Sequence, residues 1–164
     1  MKRIPTLVTL LILALFTGCG GGSDPGGAGT LPTTAVLTFS SQETLPVGMA
    51  VSGFSATLEL PAGVTVQTGA GGATATKVVV SSGQMGGAAG MVGPVIYTPA
   101  TSSTKAKLDF TIVSMTAAGV GVGEYAKTSL DLAGVTPSAG DFTVTSFIPG
   151  DMTLTPVTGL TATV

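Results

Sequence analysis

The stretch from Phe54 to Leu60 alternates strictly: Phe54, Ala56, Leu58 and Leu60 point one way, Ser55, Thr57 and Glu59 the other. Successive side chains of an extended chain leave opposite faces, so this pattern specifies a strand buried on one side only. Pro61, Ala62 and Gly63 then break the run, and Val64 to Val66 resumes it. Lys105 to Ser114 repeats the design, with Ala106, Leu108, Phe110 and Ile112 on an inner face and Lys105, Lys107, Asp109 and Thr111 on an outer one. The other segments of this kind are Ala35–Ser40, Lys77–Ser81, Val95–Thr98, Glu124–Leu132, Phe142–Phe147, Met152–Thr155 and Leu160–Val164. Most are rich in Val and Thr, whose branched side chains suit a pleated surface. No segment sustains a helical period, and Gly119 to Gly123 is poor helix material because glycine costs about 1 kcal/mol per position relative to alanine. About nine or ten short strands with frequent turn signals specify an all-β fold, an antiparallel jelly-roll-like β-sandwich. Thr68 to Thr76 and Ser82 to Gly93 interrupt the rhythm and are expected to be long, mobile loops.

Upstream of the strands the chain is of another kind. Lys2 and Arg3 precede an apolar run, Leu7 to Phe16. A membrane-spanning helix takes roughly 20 apolar residues, and this run is about half that. A charged start, a short apolar core and small residues before a cut point describe a secretory signal peptide over residues 1–18. The sole cysteine, Cys19, closes it. Residues 19–33 then form a Gly-rich tether through Gly20, Gly21, Gly22, Ser23, Asp24 and Pro25. About a dozen such residues behave as a flexible coil reaching roughly 20 Å. Residues 34–164 make up one domain, long enough to bury a core.

Phe16-Thr17-Gly18-Cys19 resembles the lipobox of bacterial lipoproteins, in which an aliphatic residue, a small or hydroxyl residue and Gly or Ala precede an invariant Cys. Thr17 and Gly18 fit; Phe16 departs from the usual Leu, with Leu15 one position earlier. The resemblance implies diacylglycerol on the Cys19 sulfur, cleavage before Cys19 and acylation of the new amino group. Stable anchoring takes two or more acyl chains, and that product carries more than one. Gly20, rather than Asp, follows the cysteine, which in such lipoproteins favours the outer membrane of the cell envelope.

A second resemblance covers the domain. Phe54 to Val64, Lys105 to Ile112, Gly123-Glu124-Tyr125-Ala126 and Asp141-Phe142-Thr143-Val144 together are similar in hydrophobic spacing to the cohesin and carbohydrate-binding-module sandwiches. The cohesin resemblance implies a module that binds a partner through a sheet face. Exposed strand edges offer a second mode, addition of a partner strand.

Chemistry is restricted by what the chain lacks. It contains no histidine, so no Ser-His-Asp or Cys-His arrangement can form, and no enzyme activity or cofactor is expected. Glu59 and Asp109 lie on outward strand faces with nothing to pair them into the two-carboxylate cleft of a glycosidase. Asp141 and Asp151 follow glycines at strand starts, but calcium needs 6–8 oxygen ligands and no clustered motif supplies them, so no metal site is expected. Met49, Met85, Met91, Met115 and Met152 are scattered and are expected to fill the core. Once the signal is removed, four lysines stand against eight carboxylates, a charge of −4 without a basic cluster, which excludes nucleic acid as a partner. Sugar-binding faces present rows of aromatic rings, whereas this chain has no Trp and two tyrosines. Tyr97 and Tyr125 are the candidate contacts for a glycan; a packed ring with a satisfied hydroxyl is the preferred alternative for each. The sequence thus points to a membrane-anchored, exported, non-catalytic interaction, adhesion or scaffold module whose partner is an envelope protein, or alternatively a carbohydrate.

Overall fold

The computed structural model describes residues 31–69, 74–151 and 156–163. The signal peptide, Cys19, most of the tether and the expected strand Met152–Thr155 lie outside the described residues.

Nine strands are present among the described residues: β1 (Thr34–Gln42), β2 (Gly53–Leu60), β3 (Val64–Thr65), β4 (Val79–Ser81), β5 (Gly90–Thr98), β6 (Ala106–Ser114), β7 (Glu124–Leu132), β8 (Thr143–Gly150) and β9 (Thr161–Thr163). One antiparallel sheet has the order β3-β7-β1-β9, with β4 also paired to β7; the other has the order β5-β6-β2-β8. The chain crosses between the sheets after β1, β2, β4, β6, β7 and β8, as in a jelly-roll-like sandwich. Alternation holds in detail. Ala106, Leu108, Phe110 and Ile112 are buried, and the residues between them are not.

Both sheets contribute rings to the core. Phe54 of β2 stacks on Phe39 of β1, centroids 5.3 Å apart and planes 6° from parallel. It also meets Phe110 edge-on at 6.0 Å, Tyr125 at 5.4 Å and Phe147 at 5.5 Å. Such geometries add roughly 0.5–1.5 kcal/mol per pair beyond area burial. Phe142, immediately before β8, is buried as well.

Tyr125, at the start of β7, ties the connection before it to the core. Its hydroxyl donates to the Gly121 carbonyl at 2.9 Å and accepts from Ser41 Oγ at 2.9 Å. Ser41 Oγ in turn accepts the Gly123 N–H at 3.2 Å. This is the geometry of a tyrosine corner, in which the ring lies in the core and the hydroxyl satisfies backbone upstream. Burial raises the Tyr125 pKa and the Ser41 bond partly opposes the rise. The unfolded phenol ionises near pH 10 and the folded one only above it. Unfolding therefore releases a proton at high pH, and stability falls as pH climbs beyond about 10. Tyr125→Phe is expected to lower the thermal midpoint at pH 7 and to flatten the decline between pH 9.5 and 11. Parallel melting curves over that range are the measurement; an unchanged slope would assign the alkaline loss to other groups.

Three expectations require correction. Ser82 to Gly93 is not a long loop. It forms 3-10 turns at Gly83–Met85 and Gly87–Ala89 and then the first residues of β5. Two of its glycines serve close packing rather than looseness: a Cβ on Gly83 would collide with the Glu124 carbonyl and one on Gly90 with the Met85 carbonyl. Met85 between them is fully buried. The methionines, second, do not all fill the core, since Met49, Met91 and Met115 are exposed. Third, two strands begin later than the apolar pattern suggests. Lys77 has φ +72° and precedes β4, and Phe142 closes a 3-10 turn before β8.

Candidate functional site

The outer face of the β5-β6-β2-β8 sheet carries no covering element among the described residues. Register arranges its side chains in rows across the strands. Thr98, Lys107, Glu59 and Thr143 form the row nearest the pole where the chain enters β1. Ile96, Asp109, Thr57 and Ser146 form the next. Thr111, Ser55 and Ile148 follow, and Met91, Val113, Gly53 and Gly150 close the far end.

The face changes character along the strands. At the entry pole Glu59 is bracketed by Lys107 at 3.4 Å and Lys105 at 3.9 Å. These are exposed pairs of the kind that contribute about 0–1 kcal/mol. In the middle, hydroxyls bond to each other and to a carboxylate. Ser55 and Thr111 are 3.0 Å apart, and Thr57 Oγ1 donates to Asp109 Oδ1 at 2.5 Å. At the far pole the surface is apolar. Four of the ten exposed large apolar side chains among the described residues lie at that end of the face: Met91, Val113, Met115 and Ile148. A cluster of that size marks an interaction surface, whereas single exposed apolar residues do not.

A groove of about 470 Å³ opens at this apolar end. Val113 and Met115 stand on one side, Ile148 and Pro156 on the other, and the strand backbone at Gly53 and Gly150 forms the floor. The floor at Gly53 is bare for a local reason: a Cβ there would lie 2.9 Å from the Ile112 carbonyl oxygen. A smaller cleft of about 160 Å³ continues it over Asp109, between Ile96 and Ser146. The two share Ser55 and Thr111, so they form one trough along β2 and β6.

The tyrosines proposed from sequence are not brought together. Tyr125 is fully buried, with its hydroxyl bonded as described. Tyr97, in β5 of the other sheet, is half-buried and packs against the core; burial raises its pKa. No aromatic platform can be built from this pair. Asp141 accepts from the Ser138 N–H at 2.7 Å and from Ser138 Oγ at 2.8 Å. These two bonds hold its carboxyl below the usual range, and they make it the cap of a turn. Glu59 and Asp109 share the outer face but sit in adjacent rows, each with its own cross-strand partner. Among the described residues no three metal-ligating side chains converge, and no helix is long and apolar enough to cross a membrane.

The trough residues escaped sequence reasoning because none belongs to a chemical motif. The available signal was the break in alternation at Val113 and Met115, which places exposed apolar residues where β6 ends. No protein-family model, curated protein or solved structure matches the chain.

Proposed function

We propose that this protein is an exported lipoprotein, anchored in the cell envelope through acyl chains on Cys19, whose cohesin-like sandwich is a non-catalytic module that docks a partner protein. The observation that carries the docking role is the uncovered trough with its apolar end. The fold offers a face and withholds its edges. β5 is interrupted by a bulge between Val92 and Val95 with Pro94 in it, and the Tyr97 N–H is taken by Thr74 Oγ1 at 3.0 Å. β8 carries a bulge opposite Thr57 and Leu58, and the Pro149 carbonyl is taken by the Val157 N–H at 2.8 Å. β3, β4 and β9 span only two or three residues each. Bulges, prolines and short strands are the means by which sheets resist strand addition. Docking through the face is therefore favoured over β-augmentation.

The tether supports the same reading. The chain enters β1 beside the end of β7, where Thr34 faces Asp131 and Val64 faces Leu132. β2 spans eight residues from the groove to that pole, about 25 Å at the rise of an extended strand. A module held by its entry pole carries the groove at the opposite pole, clear of the tether, whose Gly-rich composition sets no fixed orientation.

A photo-cross-linking amino acid in place of Ile148, 57% exposed, tests the docking role against the same probe at Val36, 64% exposed on the other sheet. Irradiation of intact cells is expected to give a discrete protein adduct from position 148 and none from 36. Equal adducts at both positions, or none at either, would remove the face as the docking surface.

A further inference from the structure

We infer that the trough receives an extended polypeptide segment of the partner, with a basic side chain against Asp109 and an apolar side chain four residues away in the groove over Gly53. The inference rests on the docking role proposed above and specifies what docks. Asp109 is half-buried in the middle of the face, flanked by Ile96 and Thr57. It accepts a hydrogen bond from Thr57 Oγ1, and none of the three ion pairs among the described residues uses it. Lys107, the nearest lysine on its own strand, is committed to Glu59. A carboxylate so placed on a docking surface selects for a cation, since a like charge or an apolar group would leave it desolvated without a partner.

Spacing supplies the rest. Asp109 and Val113 lie four residues apart on β6, about 13 Å at 3.3 Å per residue. The trough runs along the strands, so an extended segment lying in it presents every second side chain to the floor. The basic residue at Asp109 is then followed two positions on by a residue over Ser55 and Thr111, which are bonded to each other. Two positions further the segment reaches the groove between Met115 and Ile148, whose volume accepts a large apolar side chain. The partner motif is basic-x-x-x-apolar, in that order or its reverse. A helix would need residues about eight or nine apart to cover this distance, since four residues rise only about 6 Å on a helix, so a spacing of four marks an extended segment.

Selection of a random nine-residue phage library on the purified full chain tests this. Enrichment of a basic and an apolar residue four positions apart is expected. A fluorescein-labelled peptide carrying the enriched sequence should show saturable anisotropy. Its affinity should fall about tenfold in Asp109→Asn, which keeps an acceptor for Thr57, and further in Ile148→Asp, an exposed position that does not touch the core. Matching circular dichroism spectra would establish that both variants are folded. No enrichment, an enriched motif without the basic residue, or equal affinity for wild type and Asp109→Asn would overturn the inference. A cross-link from position 148 together with any of those results would leave the docking role standing and assign the face to a folded surface; absence of the cross-link would remove the role itself.

Discussion

Replacing Cys19 by Ser is expected to abolish incorporation of a clickable fatty acid and to leave the chain at precursor mass with residues 1–18 attached. The effect is all-or-none because the sulfur is the only acceptor of its kind in the chain. The lipobox resemblance implies an order of events in which the thioether forms first and cleavage before position 19 follows. Loss of the sulfur therefore blocks both. Membrane fractionation is the wrong readout. A precursor that retains Leu7 to Phe16 keeps an apolar segment that can hold it at a bilayer, so label and mass are the quantities to measure. The energetics explain why no partial anchoring is expected from the mature sequence alone. Each buried methylene contributes about 0.8 kcal/mol, and a single acyl chain gives only marginal, reversible binding. The mature charge of −4 adds no attraction to anionic lipid. Equal label on wild type and Cys19→Ser would end the lipoprotein reading.

Much of the sandwich was legible from alternation alone, and the reason is physical. A strand buried on one face repeats every two residues, and β2 and β6 follow that rule without exception from Phe54 to Leu60 and from Ala106 to Ile112. The pattern failed where backbone rather than side chains decided the structure. Ser82 to Gly93 reads as loop because glycine usually marks freedom. Here Gly83 and Gly90 are in place because neighbouring carbonyls leave no room for a Cβ. The signal for a close approach and the signal for a loose loop are the same letter in a sequence. Phe147 shows the converse. It ended an expected strand, and only the fold brings it against Phe39 and Phe54.

The site was less legible, for a different reason. Sequence reasoning looks for chemistry in unusual residues, and so it selected Tyr97 and Tyr125. Tyr125 is spent on the fold: a buried ring whose hydroxyl satisfies a neighbouring connection. The trough is built instead from Gly53, Ser55, Thr111, Val113 and Ile148, ordinary residues whose meaning comes from register across four strands. In the sequence Asp109 is an outward-facing residue of an alternating strand with nothing to pair it to Glu59. Its half-buried place in the trough, apart from the lysines, depends on which residues lie opposite it on β2 and β5. Cross-strand register is a long-range property that one strand's sequence does not carry.

Phe54→Ala is expected to destabilise the domain more than any other single ring deletion, by about 3–5 kcal/mol. The ring meets four others, Phe39, Phe110, Tyr125 and Phe147, from both sheets. Its removal takes away the transfer free energy of the side chain and leaves a cavity that cannot collapse easily. Phe39 on one side and Phe110 on the other are fixed by strand pairing, β1 to β7 and β6 to β2. Native domains are stable by about 5–15 kcal/mol in total, so the loss is a large share of what is available. At roughly 3–6 °C per kcal/mol for a domain of this size, the thermal midpoint should drop by more than about 10 °C. Phe142→Ala is the comparison. Phe142 is buried to a similar degree, 9% exposed against 3%, but none of the ring contacts among the described residues includes it. Its loss should cost visibly less. Urea unfolding of both variants with a common slope measures the difference directly. Equal losses would mean that burial alone sets the cost and that the inter-sheet ring cluster contributes nothing beyond its area. A smaller loss at Phe54 would mean that β1 and β2 can close on the vacated space, and the sandwich would then be more compliant at the groove pole than its packed rings imply.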